Sequence, residues 1–418
     1  MSIKAADVRK HLFSLTARGI KFDLKRIIEA SNRIGVPHSA YKCIHVAGTN
    51  GKGSTCAYIE SILRTSGFKT GLFTSPHILN FEERFQIDGK IISEDLWLGA
   101  YEKLSGIIDK LKLTFFEAST LIAFDLFKAT GVEWAVFETG MGGRLDATNI
   151  ISPVVSVISS VSMDHMEFLG DNLLSVFREK LGIVKKNTPL ILAANPDEDV
   201  MRLARKVCSE AGADLTVVSS DGLDSQQTPA GTRFSYNGQI YDIQLRGSFQ
   251  LLNSLLAINA VRKAGISDDT IIKEGLLKAN LPGRFQKIEI SGKNVIFDVG
   301  HNPEAAEAFI TALQANFPNK KACIVTGIMK DKDTAGIIAN YLKVAETIIF
   351  TQPGTERAES AQNLLSRVPP EKQLKCFVIP DVASAVKAAL CGKEELVCIA
   401  GSFYTVSEGF SALGIKPF

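Results

Sequence analysis

The stretch that most restricts what this chain can fold into is Lys42 to Gly67, KCIHVAGTNGKGSTCAYIESILRTSG. Ile44, His45, Val46 and Ala47 form an apolar run with one polar break, the length and texture of a buried strand. Three glycines follow within six residues, Gly48, Gly51 and Gly53, with Lys52 between the last two and Ser54 and Thr55 behind them. From Ser54 the period becomes helical. Ala57, Ile59, Ile62 and Leu63 fall on one face, and Gly67 stands where a C-terminal cap belongs. Strand, glycine-rich loop, lysine, hydroxyls and helix, in that order, cradle phosphate: backbone N–H groups turn inward and the helix N-terminus adds partial positive charge. The lysine supplies a point charge for outer phosphates, and a hydroxyl can ligate magnesium. Thr49, Asn50, Gly51, Lys52, Gly53 and Ser54 are the resulting nucleotide candidates, Lys52 also catalytic and Ser54 also a metal ligand. The spelling is not the common one, because Gly53 separates the lysine from the first hydroxyl.

A second dense patch is VEWAVFETGMGGRLDATN, Val132 to Asn149. Trp134 to Phe137 reads as a buried strand running into Glu138. A carboxylate at that edge faces the crevice where α/β sheets bind ligands, and charge there is costly unless paired or on a metal. GMGG does not make a dinucleotide fingerprint. Its third glycine position holds Leu145, and DATNIISP is loop-like rather than helical, which argues against a dehydrogenase. Ser152 to Val161 is a further apolar strand, ending in Met163-Asp164-His165. Beyond it, Asp171 is positioned to cap a helix on which Phe177, Leu181 and Val184 are apolar, so Lys180 points toward the buried side, an unusual place for an ammonium.

At 418 residues, the chain is long enough for two or three domains. A net charge of +2 gives no global field for nucleic acid or a membrane surface, so an acidic substrate must be gripped by a local pocket. The seven cysteines form no CxxC pair and read as reduced core residues of a cytoplasmic protein. MSIKAADVRKHLFSL is too polar for a signal peptide, and no apolar run reaches membrane-spanning length. Helical and β-rich segments run to LPGRFQ, Leu281 to Gln286, where Pro and Gly interrupt the pattern and strands resume. The fold class expected is α/β: an N-terminal P-loop-type ATPase domain with a mostly parallel central sheet, residues 1–283, and a smaller Rossmann-like α/β domain, residues 284–418.

GTNGKGST resembles the nucleotide loop of the Mur ligase superfamily, and with the extra glycine it is similar to the folylpolyglutamate synthase and dihydrofolate synthase branch. ETGMGGRLDATN resembles that family's second motif, with Thr139 where valine is usual, and D-H-x-x-x-L-G recurs as Asp164, His165, Leu169 and Gly170. LPGRFQ, FDVGHNP and GSFYTVSEG follow in family order, so the resemblance spans nearly the whole chain. It implies an ATP-dependent amide ligase that joins L-glutamate to dihydropteroate or to reduced folates, with two magnesium ions, acting as a monomer in the cytoplasm. By that resemblance Ser54, Ser75 of TSPH, Glu138 and His165 are metal ligands. Lys180 of REKLGI, where Leu181 replaces the usual alanine, is a carbamylated catalytic and metal-binding lysine. Asn253, Arg284 and Asp298 would lie on the nucleotide, and His301 by the incoming glutamate. Phe22, Asp23, Leu24, Phe116, Leu145, Asp146 and Ala147 would approach the pterin end, with the domains closing on the linker near Arg284. Two other readings stay open on the sequence: a nucleotide-gated binding protein, which the loop alone permits, and a cell-wall ligase acting on nucleotide-linked peptides.

Overall fold

A computed structural model describes residues 5–19, 21–163, 166–228 and 231–418. The chain divides into two compact units, Met1–Leu223 with Leu252–Ala279, and Asp224–Leu251 with Asn280–Phe418. The last crossing falls a few residues before the expected boundary at 283, and the β-rich segment after Leu223 groups with the C-terminal unit.

The first unit is built on β1 (Lys42–Ala47), β2 (Thr70–Phe73), β3 (Phe85–Ile87), β4 (Lys90–Ile91), β5 (Trp134–Glu138), β6 (Val155–Ile158), β7 (Leu190–Ala193) and β8 (Leu215–Val218). Their order is β4-β3-β2-β5-β1-β6-β7-β8. The six strands from β2 to β8 in that row are parallel, and β3 and β4 form an antiparallel hairpin on the edge. The hairpin turns at Asp88-Gly89, both at positive φ, as the Asp-Gly pair predicts. Nearly continuous apolar strands such as VEWAVFE suit a sheet covered on both faces, and every residue of β5 is buried. After β1 the chain forms the helix Lys52–Thr65 and returns as β2, beyond β5, whereas β6, β7 and β8 extend the other side. The strand order reverses at β1, so the glycine loop sits at the switch point where such sheets bind ligands.

Three local expectations are corrected. The helix Lys52–Thr65 is buried on every side from Gly53 to Leu63, not along one face. It is sandwiched against the helix Asp269–Lys278, and Ser61 Oγ donates to the Gly275 carbonyl at 2.7 Å. The strand expected over 152–161 is shorter, because Ser159 onward turns out to meet the glycine loop. Asn172, not Asp171, caps the helix Leu173–Leu181. Its side chain accepts from Ser175 N at 2.9 Å, while Asp171 accepts from Asn172 Nδ2.

The second unit holds a small antiparallel sheet, β9 (Ser225–Thr228), β10 (Gly231–Tyr236) and β11 (Gln239–Ile243), with its hairpin at Asn237-Gly238. Its main sheet comprises β12 (Gln286–Ile290), β13 (Lys293–Asp298), β14 (Ala322–Thr326), β15 (Ala345–Phe350), β16 (Cys376–Val378) and β17 (Leu396–Ala400). The order is β12-β13-β17-β14-β15-β16, parallel apart from β12. This is the Rossmann-like domain expected. All seven cysteines are free and five are buried. Among the described residues no helix is long and apolar enough to cross a membrane.

Candidate active site

The glycine loop is shaped mainly by backbone. Gly51 has φ 83° and lies against Asn253: a Cβ there would sit 2.2 Å from Asn253 Oδ1, so only glycine fits. Asn253, buried on the helix Phe249–Lys263, is thereby brought onto the loop itself. Lys52 Nζ donates to the Gly48 and Thr49 carbonyls at 3.2 and 3.1 Å, folded over the loop it serves. Ser54 is buried in the first helical turn. The exit of β6 braces the loop from the side. Thr49 N donates to Ser160 O at 2.9 Å, Asn50 N to Ser160 Oγ at 2.8 Å, and Ser159 Oγ to Asn50 O at 2.6 Å. Ser159 and Ser160 were not singled out in the sequence. Two small hydroxyls at the crevice end of a buried strand were the available signal.

β5 is registered beside β1, Val46 opposite Glu138, and this carries Glu138 to the same edge. The carboxylate is 4% exposed and its Oε2 accepts from Ser75 N at 3.0 Å, which joins two of the expected metal residues. Buried Cys56, one turn into the helix, feels both charges: burial raises its pKa, Glu138 raises it further and Lys52 opposes. Among the described residues no three His, Cys, Asp or Glu side chains converge as a self-sufficient metal cage. One buried carboxylate with serine hydroxyls nearby suits magnesium, which keeps waters and takes remaining oxygens from substrate phosphates. Asp164 and His165 lie outside the described residues.

The loop after Glu138 is held by side chains. Asp146 is buried, and both its oxygens are engaged. Oδ2 accepts from Gly140 N and Met141 N at 2.8 and 3.0 Å, and Oδ1 from Thr148 N and Oγ1 at 3.0 and 2.5 Å. Burial raises its pKa and these four donors pull it back. The Asp146 carboxylate is thus a brace, and what it leaves at the rim is backbone with half-buried Leu145 beside buried Ala147. The same loop docks on the helix that carries Lys180. Arg144 N donates to Glu179 O at 2.7 Å, Asn149 Nδ2 to Gly182 O at 3.0 Å, and Arg144 pairs with Glu179. The backbones nearly touch: a Cβ on Gly182 would meet Arg144 Cα at 2.4 Å. Lys180 is 2% exposed.

The expected pterin-end residues lie in the same unit. Arg26, missed in the sequence, pairs with Asp23 and Glu117 at 3.2 Å each and ties the segment Phe22–Leu24 to the start of the helix Phe115–Ala129. Glu117 also closes a capping box with Thr114. Phe116 packs on Gly140 and lies 5.9 Å from Phe73. Leu24 packs on the core, while Phe22 stays 51% exposed against Phe168, leaving an apolar ring face open.

In the second unit, Asp298 ends β13 and is buried, accepting from Phe285 N and Gly300 N at 2.9 and 2.8 Å. Burial raises its pKa, and the Arg284 guanidinium opposes the rise. Arg284 stacks over Phe403 at 5.4 Å, and the His301 ring lies 6.0 Å from the same phenyl. His301 Nδ1 donates to Val299 O at 3.0 Å, so Nδ1 carries a proton.

Two family models match: the Mur ligase middle domain over residues 46–261, and the Mur ligase, glutamate ligase domain over residues 283–403. Fold and site together define an ATP-dependent carboxylate–amine ligase. The dihydrofolate synthase/folylpolyglutamate synthase of Escherichia coli (strain K12) is 32% identical over 403 residues, spanning 95% of this chain and 92% of that protein. E. coli FolC in complex with DHPP and ADP has a TM-score of 0.88 at 31% identity, covering 99% of this chain and 98% of that one. The bifunctional folylpolyglutamate synthase/dihydrofolate synthase from Yersinia pestis c092, complexed with AMPPNP and Mn ion, has a TM-score of 0.87 at 29% identity, covering 99% and 100%. The chain belongs to the dihydrofolate synthase/folylpolyglutamate synthase family. ATP-dependent ligation of glutamate is therefore the chemistry of this family, and the switch-protein, cell-wall ligase and dehydrogenase readings fall away.

Proposed function

We propose that the chain is bifunctional, adding the first L-glutamate to dihydropteroate and further glutamates to reduced folates, each through an acyl phosphate. The observation that supports this most is the assembly at the crevice of the first unit. A phosphate-cradling loop lies beside buried Glu138, and next to both is a rim whose backbone is braced by Asp146. A substrate carboxylate oxygen bonds to the γ-phosphorus in line and ADP leaves. The glutamate amine then attacks the acyl carbonyl, loses a proton, and expels phosphate. Two anions must meet in the first step, so positioning and positive charge supply the catalysis. Loop amides and Lys52 hold the phosphates. Ser54, Ser75 and Glu138 would hold one magnesium ion, and His165 with Lys180 a second; bound there, the ions neutralise charge developing on the transferred phosphoryl group.

Lys180 is buried on the helix that packs against the loop after β5, and burial disfavours the charged form of an amine. Its neutral amine adding carbon dioxide, with release of a proton, gives a carbamate whose oxygens are ligands magnesium prefers. Leu145 and Ala147 present backbone to the pterin end, with Phe22 and Phe116 as apolar faces. In the second unit Arg284 and Asp298 serve the nucleotide and His301 the incoming glutamate. The protein acts as a cytoplasmic monomer with a ligand-responsive boundary near residues 283 and 284. Purified protein with ATP, glutamate and either dihydropteroate or tetrahydrofolate, scored by product mass, tests the assignment. Glutamate on both acceptors is expected, and glutamate on tetrahydrofolate alone reduces the protein to a folylpolyglutamate synthase. For Lys180, the Lys180→Ala variant should lose turnover and regain part of it with added acetate. An active, acetate-indifferent variant removes the carbamate.

A further inference from the structure

We infer that His45, inside the strand that feeds the phosphate loop, is a positioning residue for the pterin-end loop, acting through Thr148 and Asp146. His45 lies in the middle of β1, fully buried, with Phe137 on one neighbouring strand and Ser156 on the other. By the two-residue period of a strand it shares a face with Cys43 and Ala47, the face on which the short helix Ala147–Ile150 sits. Its Nε2 is 2.8 Å from Thr148 Oγ1, and its Nδ1 has no hydrogen-bond partner among the described residues.

The direction of each bond follows from its neighbour. The Asp146 carboxylate can only accept, so Thr148 Oγ1–H donates to Oδ1 at 2.5 Å. The Thr148 oxygen must then accept a hydrogen bond from His45 Nε2–H, which fixes the imidazole as the Nε2–H tautomer. That leaves Nδ1 as a buried lone pair with no hydrogen-bond partner among the described residues. Burial keeps the ring neutral, its pKa pushed down to about 3. The relay therefore runs from the strand before the phosphate loop, through Thr148 and Asp146, to the amides of Gly140 and Met141. Each buried donor in it satisfies the next acceptor, so removing the first link frees the Thr148 hydroxyl to rotate and loosens the Asp146 carboxylate.

This rests on the proposed pterin-end role of the 145–147 backbone, and the experiment separates the two. Three variants are compared with the wild type: His45→Met, which keeps volume without the donor, Thr148→Val, and His45→Gln, whose amide nitrogen replaces Nε2–H. The acceptor is dihydropteroate or tetrahydrofolate, whichever the wild type uses better. His45→Met and Thr148→Val should raise KM for the acceptor about tenfold, the worth of one buried hydrogen bond in this setting. KM for ATP and kcat should stay within about threefold, and His45→Gln should restore most of the acceptor KM. Amide exchange read by mass spectrometry should show residues 139–149 opening faster in the first two variants and not in the third. If His45→Met does not accumulate as folded protein, Thr148→Val and His45→Gln carry the comparison alone. Equal losses in both KM values, or unchanged exchange over 139–149, would overturn the inference. A wild type inactive on both acceptors would overturn the pterin reading instead, while the exchange arm still decides whether His45 braces the loop.

Discussion

Two loops leave adjacent strands of the first unit and are held in opposite ways. The phosphate loop after β1 is secured by its own backbone, by Gly51 at positive φ and by the hydroxyls of Ser159 and Ser160, and its one long side chain, Lys52, folds over carbonyls of the same loop. The loop after β5 is secured by buried side chains. Asp146 takes four hydrogen bonds, and Arg144, Asn149 and the Gly182 contact anchor it to the helix carrying Lys180. A loop whose path is set by backbone keeps its shape without its lysine, whose contacts are to carbonyls of the same loop. A side-chain-built loop spends its side chains on shape and offers backbone to a ligand. Function and stability should therefore separate in the first loop and coincide in the second.

The largest expected effect is on the first loop. Under the proposed mechanism, in which the ammonium acts on charge that develops in transfer, Lys52→Ala should lower kcat by roughly a hundredfold or more. Its melting temperature should be unchanged, since the side chain caps only its own loop. A variant that unfolds, or turns over normally, breaks the contrast. On the second loop, Asp146→Asn puts an amide N–H against donors the carboxylate now accepts from. It should cost about 2–3 kcal/mol of stability together with activity, read by denaturant unfolding of the purified variant.

Much of this division was readable in advance. GTNGKGST announces itself because backbone-built loops require glycine, and glycine spacing is visible in a sequence. The parallel strands and both hairpin turns were equally visible, through apolar runs and the Asp88-Gly89 and Asn237-Gly238 pairs. The second loop gave up its outline but not its partners. Thr148 and Asp146 are close in sequence, yet His45, Glu179 and Gly182 reach them only through the tertiary fold, which no local pattern encodes. Asp146 stood out as a substrate contact, and the structure shows its carboxylate turned inward. Arg26 looked like any helical arginine because its partner Glu117 is far along the chain.

Acidification should sharpen the same comparison by a smaller, graded effect. Burial pushes His45 and His77 down to about 3 and His38 to about 4, all three in the first unit. With folded pKa values below the unfolded value of about 6.5, the unfolded chain binds more protons between those limits, so stability falls as pH drops below about 6.5. Calorimetric scans from pH 7 to pH 5 should show the transition of the first unit moving down more than that of the second. The smallest effect concerns the cap. Asn172→Ala should cost about 1 kcal/mol and Asp171→Ala almost nothing, because only Asn172 accepts from the first helical turn.

The central claim is that the phosphate loop and the acceptor site meet so that a carboxylate oxygen attacks the γ-phosphate. Oxygen-18 in the acceptor's carboxylate follows that oxygen directly. Acyl-phosphate chemistry predicts that one labelled oxygen per turnover appears in inorganic phosphate, with none in ADP. Phosphate free of label while the amide product accumulates would contradict the account.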